Sequence, residues 1–144
     1  MSEEFVGRDV VISVKGLSGF DEEGESLELV TGGKYAYANE RAALEYMETE
    51  LTGLTGTRTR ICVEPECVTL TRSGVFNMQM IFQEGRKHYF NYNTPEGSLM
   101  MGINTRSVRN ELREDGGRLC VSYLLDLDTT MRTRNSFEIE IMKG

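Results

Sequence analysis

Apolar side chains recur at every second residue along most of the chain, and clusters of Gly, Asn and Pro interrupt them at spacings of about 8 to 12 residues. A period of two puts successive side chains on opposite faces of a strand, so each segment has one apolar and one polar face. Val10, Ile12 and Val14 alternate with Val11, Ser13 and Lys15. Thr57, Thr59, Ile61 and Val63 alternate with Arg58, Arg60 and Cys62. Leu119, Val121, Tyr123 and Leu125, and then Phe137, Ile139 and Ile141, repeat the pattern near the end. Nearly all connections are too short for a crossover, which leaves antiparallel hairpins. The pattern predicts an all-β fold, a single up-and-down antiparallel barrel of about 8 to 10 strands, because closure removes the exposed edges of a sheet. At 144 residues the chain is one domain, 1–144, and can bury about two-thirds of its unfolded surface without disulfides or metals.

The turns divide the barrel between two ends. Gly16 to Gly24 reads as the first turn, and Gly32-Gly33 as a bend within the second strand. Arg41 to Glu50 fits both a helical stripe, Ala43, Leu44, Met47 and Leu51, and an alternating strand, Leu44 and Tyr46. Local propensity favours the helix, but the neighbouring segment needs a partner strand along its edge, so a strand is expected. Phe76, Met78, Met80 and Phe82 form one inward stripe; His88, Phe90 and Tyr92 form another, and Leu99, Met101 and Ile103 a third. Turns at 51–56, 72–74, 94–97 and 126–130 should share one end, and those at 38–40, 65, 83–86 and 107–117 the other. The 107–117 connection is the longest, with one helical turn expected over Val108 to Leu112. Residues 1–8 are expected to be a mobile tail.

Sixteen basic and 23 acidic side chains give a net charge of -7, and the arginines are spread rather than gathered, so neither nucleic acid nor an anionic membrane surface is an expected partner. No run approaches the roughly 18 apolar residues of a spanning helix. The acidic start Met1-Ser2-Glu3-Glu4-Phe5 lacks a basic-then-apolar export pattern and predicts a cytoplasmic protein. Cys62, Cys67, Cys120 and the single His88 have no zinc-ligand spacing, so free thiols buried in strands, a hydrogen-bonded histidine, and no metal or cofactor are expected.

Leu51-Thr52-Gly53 with Thr57 and Thr59, Arg72-Ser73-Gly74, and above all Tyr92-Asn93-Thr94-Pro95-Glu96-Gly97-Ser98-Leu99 carry a likeness that continues through Thr105, Gly117, Tyr123, Leu125 and Asn135. On these residues the chain resembles the YwiB-like family of uncharacterised bacterial proteins over almost its whole length. The resemblance implies a calycin-like, lipocalin-like β-barrel of unknown function, with no catalytic residues to carry over. Arg41 to Met47 is less strand-like than the family pattern.

One end of the barrel is chemically distinct, because the inward phase of its strands runs on into polar residues. Glu48 and Glu50 lie beyond Tyr46, Thr57 and Thr59 precede Ile61, Arg72 follows Leu70, and Tyr92 and Thr94 join by parity and position. An arginine offers paired hydrogen bonds to an anionic head group, and Phe76, Met78, Met80 and Phe90 would contact an apolar tail. The simplest expectation is non-catalytic binding of a small, partly apolar ligand by Glu48, Glu50, Thr57, Arg72, Tyr92 and Thr94. The alternative is a filled barrel, in which Arg72 pairs with Glu48 or Glu50 and function lies on an outer face or in a homodimer. An enzyme would have to use Glu48 and Glu50 as acid and base; no histidine lies near them in sequence to orient them, and no catalytic residue is assigned. The alternatives differ in whether the interior is open beside Arg72.

Overall fold

The computed structural model describes residues 7–16, 28–50, 53–127 and 131–142. Ten antiparallel strands make one sheet: β1 (Arg8–Lys15), β2 (Glu28–Ala38), β3 (Arg41–Met47), β4 (Thr57–Val63), β5 (Val68–Gly74), β6 (Met78–Phe82), β7 (Lys87–Thr94), β8 (Gly97–Asn110), β9 (Gly117–Leu127) and β10 (Met131–Met142). Their order is β6-β5-β4-β3-β2-β1-β10-β9-β8-β7, so every neighbour is consecutive in sequence except β1 and β10. Those two pair from Val11↔Met142 to Lys15↔Glu138 and join the two meanders into a ring. The ring is nearly closed between β6 and β7, where the backbones of Asn77 and Asn93 exchange two hydrogen bonds of 3.0 Å.

Alternation fixes what is inside. Ile12, Leu44, Ile61, Leu70, Phe82, Ile103, Leu119 and Ile139 come from eight strands and have no accessible surface. A void able to hold one water beside any of them would leave it some, so the middle of the barrel is filled by its own side chains. Phe82, Tyr123 and Phe137 meet edge to face there, with ring centres 4.9 to 6.3 Å apart. The end carrying the 39–40 and 111–116 turns is shut by the latter: Leu112 is buried, the Tyr35 phenol donates to the Arg113 carbonyl at 2.6 Å, and the Arg8 guanidinium donates to the Glu114 carbonyl at 2.7 Å.

Arg41–Met47 is a strand with Ala42, Leu44 and Tyr46 inward, as the edge argument requires against its helical propensity. Gly32-Gly33 does not break β2, which keeps an unbroken register with β1 through both glycines. A Cβ on Gly33 would lie 2.5 Å from both the Glu45 carbonyl oxygen and Ile12 Cδ1, so the glycine lets three strands pack closely.

Four expectations are corrected. Arg8 is not tail, because it pairs with Tyr35; residues 1–6 of the expected tail lie outside the described residues. Arg72-Ser73-Gly74 is not a turn, since β5 stays paired with β4 through Gly74 and the chain reverses over Val75 and Phe76. No helical turn forms over Val108–Leu112: β8 stays paired with β9 to Asn110 after a bulge between Thr105 and Ser107 that absorbs Arg106. Leu99 has inward parity but is exposed, because the β8–β9 ladder begins only at Met101 and, among the described residues, no β9 residue flanks Leu99. The expected turn residues 17–24, 51–52 and 128–130 lie outside the described residues. The antiparallel pairing nonetheless puts the 48–56, 75–76 and 95–96 connections at one end.

The two adjacent glycines give a sharp test. Gly33→Ala is expected to destabilise the protein by about 1–3 kcal/mol through overpacking. Gly32→Ala, where the added carbon meets nothing nearer than 3.9 Å, should change stability little; urea unfolding of both variants measures the difference.

Candidate functional site

Glu48 continues the inward phase of β3 because its N–H donates to the Thr57 carbonyl at 2.8 Å, extending the β3–β4 ladder by one step past Met47. Arg72, two residues beyond Leu70 on β5, faces it across Thr59, its register partner on β4. The carboxylate and guanidinium come within 3.5 Å, Glu48 Oε2 to Arg72 Nη2, with side chains 0% and 1% exposed. Arg72 Nε donates to Thr59 Oγ1 at 3.3 Å, and Thr59 Oγ1 in turn donates to Glu48 Oε2. The threonine hydroxyl thus relays between the two charges. Thr57 Oγ1 accepts from the Phe76 N–H at 3.3 Å and ties the β5–β6 turn to the same end.

Aromatic groups surround this pair. The Tyr46 hydroxyl is buried beside Glu48 and Thr59 without a well-formed hydrogen bond, and burial, reinforced by the Glu48 charge, pushes its pKa strongly upward. Burial also raises Tyr92 and takes Tyr123 to about 12, and in both the nearby Arg72 charge opposes the rise. Phe76 lies stacked on Tyr92, ring centres 6.1 Å apart, at the outer margin.

Glu48, Thr57, Arg72 and Tyr92 therefore converge as their parity demands. Glu50 does not: the alternation ends at Glu48, the chain turns, and Glu50 is exposed with its carbonyl accepting from the Gly53 N–H at 3.1 Å. Thr94 pairs through its backbone with Gly97, and its side chain lies outside the described residues. The reading from parity placed Thr59 at this polar end but left it out of the ligand set, and it missed Tyr46 and Tyr123 as the walls. The two tyrosines carry the inward parity legible in the sequence, but their hydroxyls read as strand filling.

The cysteines correct another expectation. Cys62 is exposed and Cys67 and Cys120 are half-buried, all as free thiols on outward or turn positions rather than in the core. Partial burial pushes all three thiols up, which disfavours the nucleophilic thiolate. His88 is half-buried, with Nε2 3.1 Å from Gln83 Oε1 in the adjoining hairpin. At the opposite end Arg8, Arg113, Glu114 and Asp115 line a shallow cleft whose charges balance.

The geometry is that of a lock. Removing one partner of a buried ion pair leaves an uncompensated charge, so Arg72→Met and Glu48→Gln should each cost about 3–5 kcal/mol. The double variant Glu48→Leu with Arg72→Met should recover most of that loss; denaturant unfolding of all three checks the pattern. The tyrosines add a pH dependence. Tyr35 is raised to about 12 by burial first and then by Tyr37, and Tyr123 to about 12 by burial. A neutral phenol favoured by the fold contributes stability that is complete below about pH 10, the unfolded value, and is lost as pH rises toward 12. Alkaline unfolding should therefore steepen across that window, and Tyr123→Phe should flatten it in a thermal-melt series.

A family model described as a domain of unknown function, DUF1934, matches residues 12–139. The uncharacterized beta-barrel protein YwiB of Bacillus subtilis (strain 168) is 28% identical over 114 residues, 79% of this chain and 79% of that one. The crystal structure of ywiB protein from Bacillus subtilis superposes with a TM-score of 0.80 at 24% identity, over 94% of this chain and 92% of that chain, a likeness of fold.

Proposed function

Because the chain belongs to the DUF1934 family, a β-barrel family with no assigned activity, we propose on the geometry of this barrel that it is a filled, non-catalytic module that acts through its outer surface on other polypeptides. One observation carries this reading: the arginine that would hold a ligand's head group is sealed by Glu48 and Thr59 with 1% of its side chain exposed. A head group could reach it only by displacing a carboxylate that is itself fully buried, which would strand that charge. The lack of accessible surface in the middle of the barrel supports the same reading. It is the part of the calycin-like architecture in which side chains, rather than a ligand, fill the ring. A cytoplasmic location, in which the three free thiols would stay reduced, is part of the proposal.

Exposed apolar side chains support action through the surface. Of the six large hydrophobic residues exposed among the described residues, Val75, Tyr89, Leu99 and Met100 lie on the side of the barrel from the β5–β6 turn to β8. Clustered exposed apolar groups mark interaction surfaces more often than scattered ones do.

A second reading keeps the small ligand and moves it outward. Phe90 and Tyr92 on β7 and Met78 on β6 retain a little accessible surface where the ring is held by the single Asn77–Asn93 bridge, and the Tyr46 hydroxyl lies deeper on the same end. An apolar molecule with one polar group would suit that mouth.

Native mass spectrometry of the full chain, purified gently from its own cells, separates the two. The filled module predicts protein free of small molecules, alone or with another polypeptide. A co-purifying small molecule that is lost in Tyr92→Ala would replace it with the ligand-binding reading.

A further inference from the structure

The outward positions of the ten strands are not alike. Across β10, β9, β1, β2, β3 and β4 they carry cross-strand ion pairs: Arg132 with Asp126, Arg118 with Glu138, Lys34 with Asp9, and Arg58 and Arg60 with Glu45, at 2.6 to 3.4 Å. On β5 to β8 the pattern stops. Thr71 and Gln79 face each other across β5 and β6, Ile81 follows Gln79, and Asn91 and Met100 face each other across β7 and β8 with Tyr89 beside them. All are uncharged in a chain with 39 charged side chains, the sum of 16 basic and 23 acidic. Lys87, paired with Asp126 at 2.8 Å, marks the border of this face, and Glu84 and Arg86 lie in the hairpin below it.

Backbone groups add to this face. Asn77 and Asn93 direct their N–H and C=O groups toward each other across the gap between β6 and β7. By the period of two, Gln79 and Ile81 on one strand and Tyr89 and Asn91 on the other direct theirs into the same gap. Among the described residues no ladder joins β6 to β7 at those positions. Tyr89 is 66% exposed and its ring lies across Gly102, whose missing side chain leaves room for it: a Cβ there would be 3.2 Å from Tyr89 Cε1. The face thus has no carboxylate on any of its four strands, is partly apolar, and is supplied with amides, hydroxyls and backbone groups; its outward cations are Lys87, whose Nζ lies 5.3 Å over the Tyr89 ring, and Arg106 and Arg109 toward the end of β8.

We propose that this β5–β8 face is a self-association surface whose occupant is a second copy of the chain. The inference rests on the filled-module reading above, in which the outer surface is the working part. Charge argues for a second copy. Two chains of net charge -7 repel through most orientations, and β5 to β8 carry no carboxylate, so contact here brings no acidic groups together and leaves Lys87 paired with its own Asp126. Amides and hydroxyls both donate and accept, so a face built from Gln79, Asn91, Thr71 and Tyr89 is complementary to itself under a two-fold axis. Ile81 and Met100 supply the apolar contact that such an interface needs.

The experiment is sedimentation of the full chain from low to high micromolar concentration, beside three variants whose fold is checked by circular dichroism. Wild type is expected to reach a species of twice the chain mass. Tyr89→Glu, and separately Gln79→Glu, place like charges across the two-fold and should weaken the dimer by about 100-fold or more. Val30→Glu adds the same charge to exposed β2 on the ion-paired side and should leave the dimer unchanged. A monomer at every concentration overturns the proposal, as does a dimer that Val30→Glu breaks and the other two do not. The same samples in native mass spectrometry keep the two failures apart. A retained small molecule defeats the filled-module reading, whereas a bare monomer defeats only the choice of partner.

Discussion

The pairing of β1 with β10 is the constraint on which the rest depends. Each other ladder joins strands that are consecutive in sequence; this one joins the two ends of the described chain. Once Val11↔Met142 through Lys15↔Glu138 is made, the inward phase of every strand has a common interior to fill. The middle is apolar and interdigitated. Toward one end the same parity brings Glu48, Thr57, Thr59 and Arg72 inside, where water cannot solvate them, so they must satisfy one another. The ion pair is therefore a consequence of closure, and the hydroxyl of Thr59 between the two charges makes that consequence tolerable.

Much of this was legible in the sequence because a period of two is a direct statement about faces. The inward residues of β1, β4, β9 and β10 follow from alternation alone, and Arg41–Met47 follows from the demand of β4 for a partner rather than from its own propensity. Glu48, Thr57, Arg72 and Tyr92 were found by carrying parity past the apolar core. Parity also misled where ladders end: it placed Glu50 inside, though the chain had already turned, and Leu99 inside, though the ladder of β8 with β9 starts only at Met101. Arg72-Ser73-Gly74 read as a turn because its residues are polar, yet the ladder with β4 continues through them. The bulge that absorbs Arg106 is a matter of one residue between two registers, and no local composition marks it.

The sealed pair and the β5–β8 face belong to one account. A barrel whose polar end is closed from within has its free chemistry on the outside, and the outside divides into an ion-paired arc and one whose strands carry no carboxylate. The second arc coincides with the place where the ring is held most lightly, by the Asn77–Asn93 bridge and the hairpin around Gly85. That division was available in the sequence as a run from Thr69 to Asn104 in which the only carboxylates, Glu84 and Glu96, fall in hairpins, but it becomes a surface only when β5 to β8 are placed side by side.

The central claim is that the interior is full and Arg72 is locked. A high-resolution crystal structure of the protein under xenon pressure tests it most directly, because xenon enters empty apolar cavities and ordered water marks polar ones. The account predicts no xenon site within the ring between Ile12 and Phe82, and no water within hydrogen-bonding distance of Arg72. A xenon atom in the ring, or a chain of waters leading to the guanidinium, would contradict it.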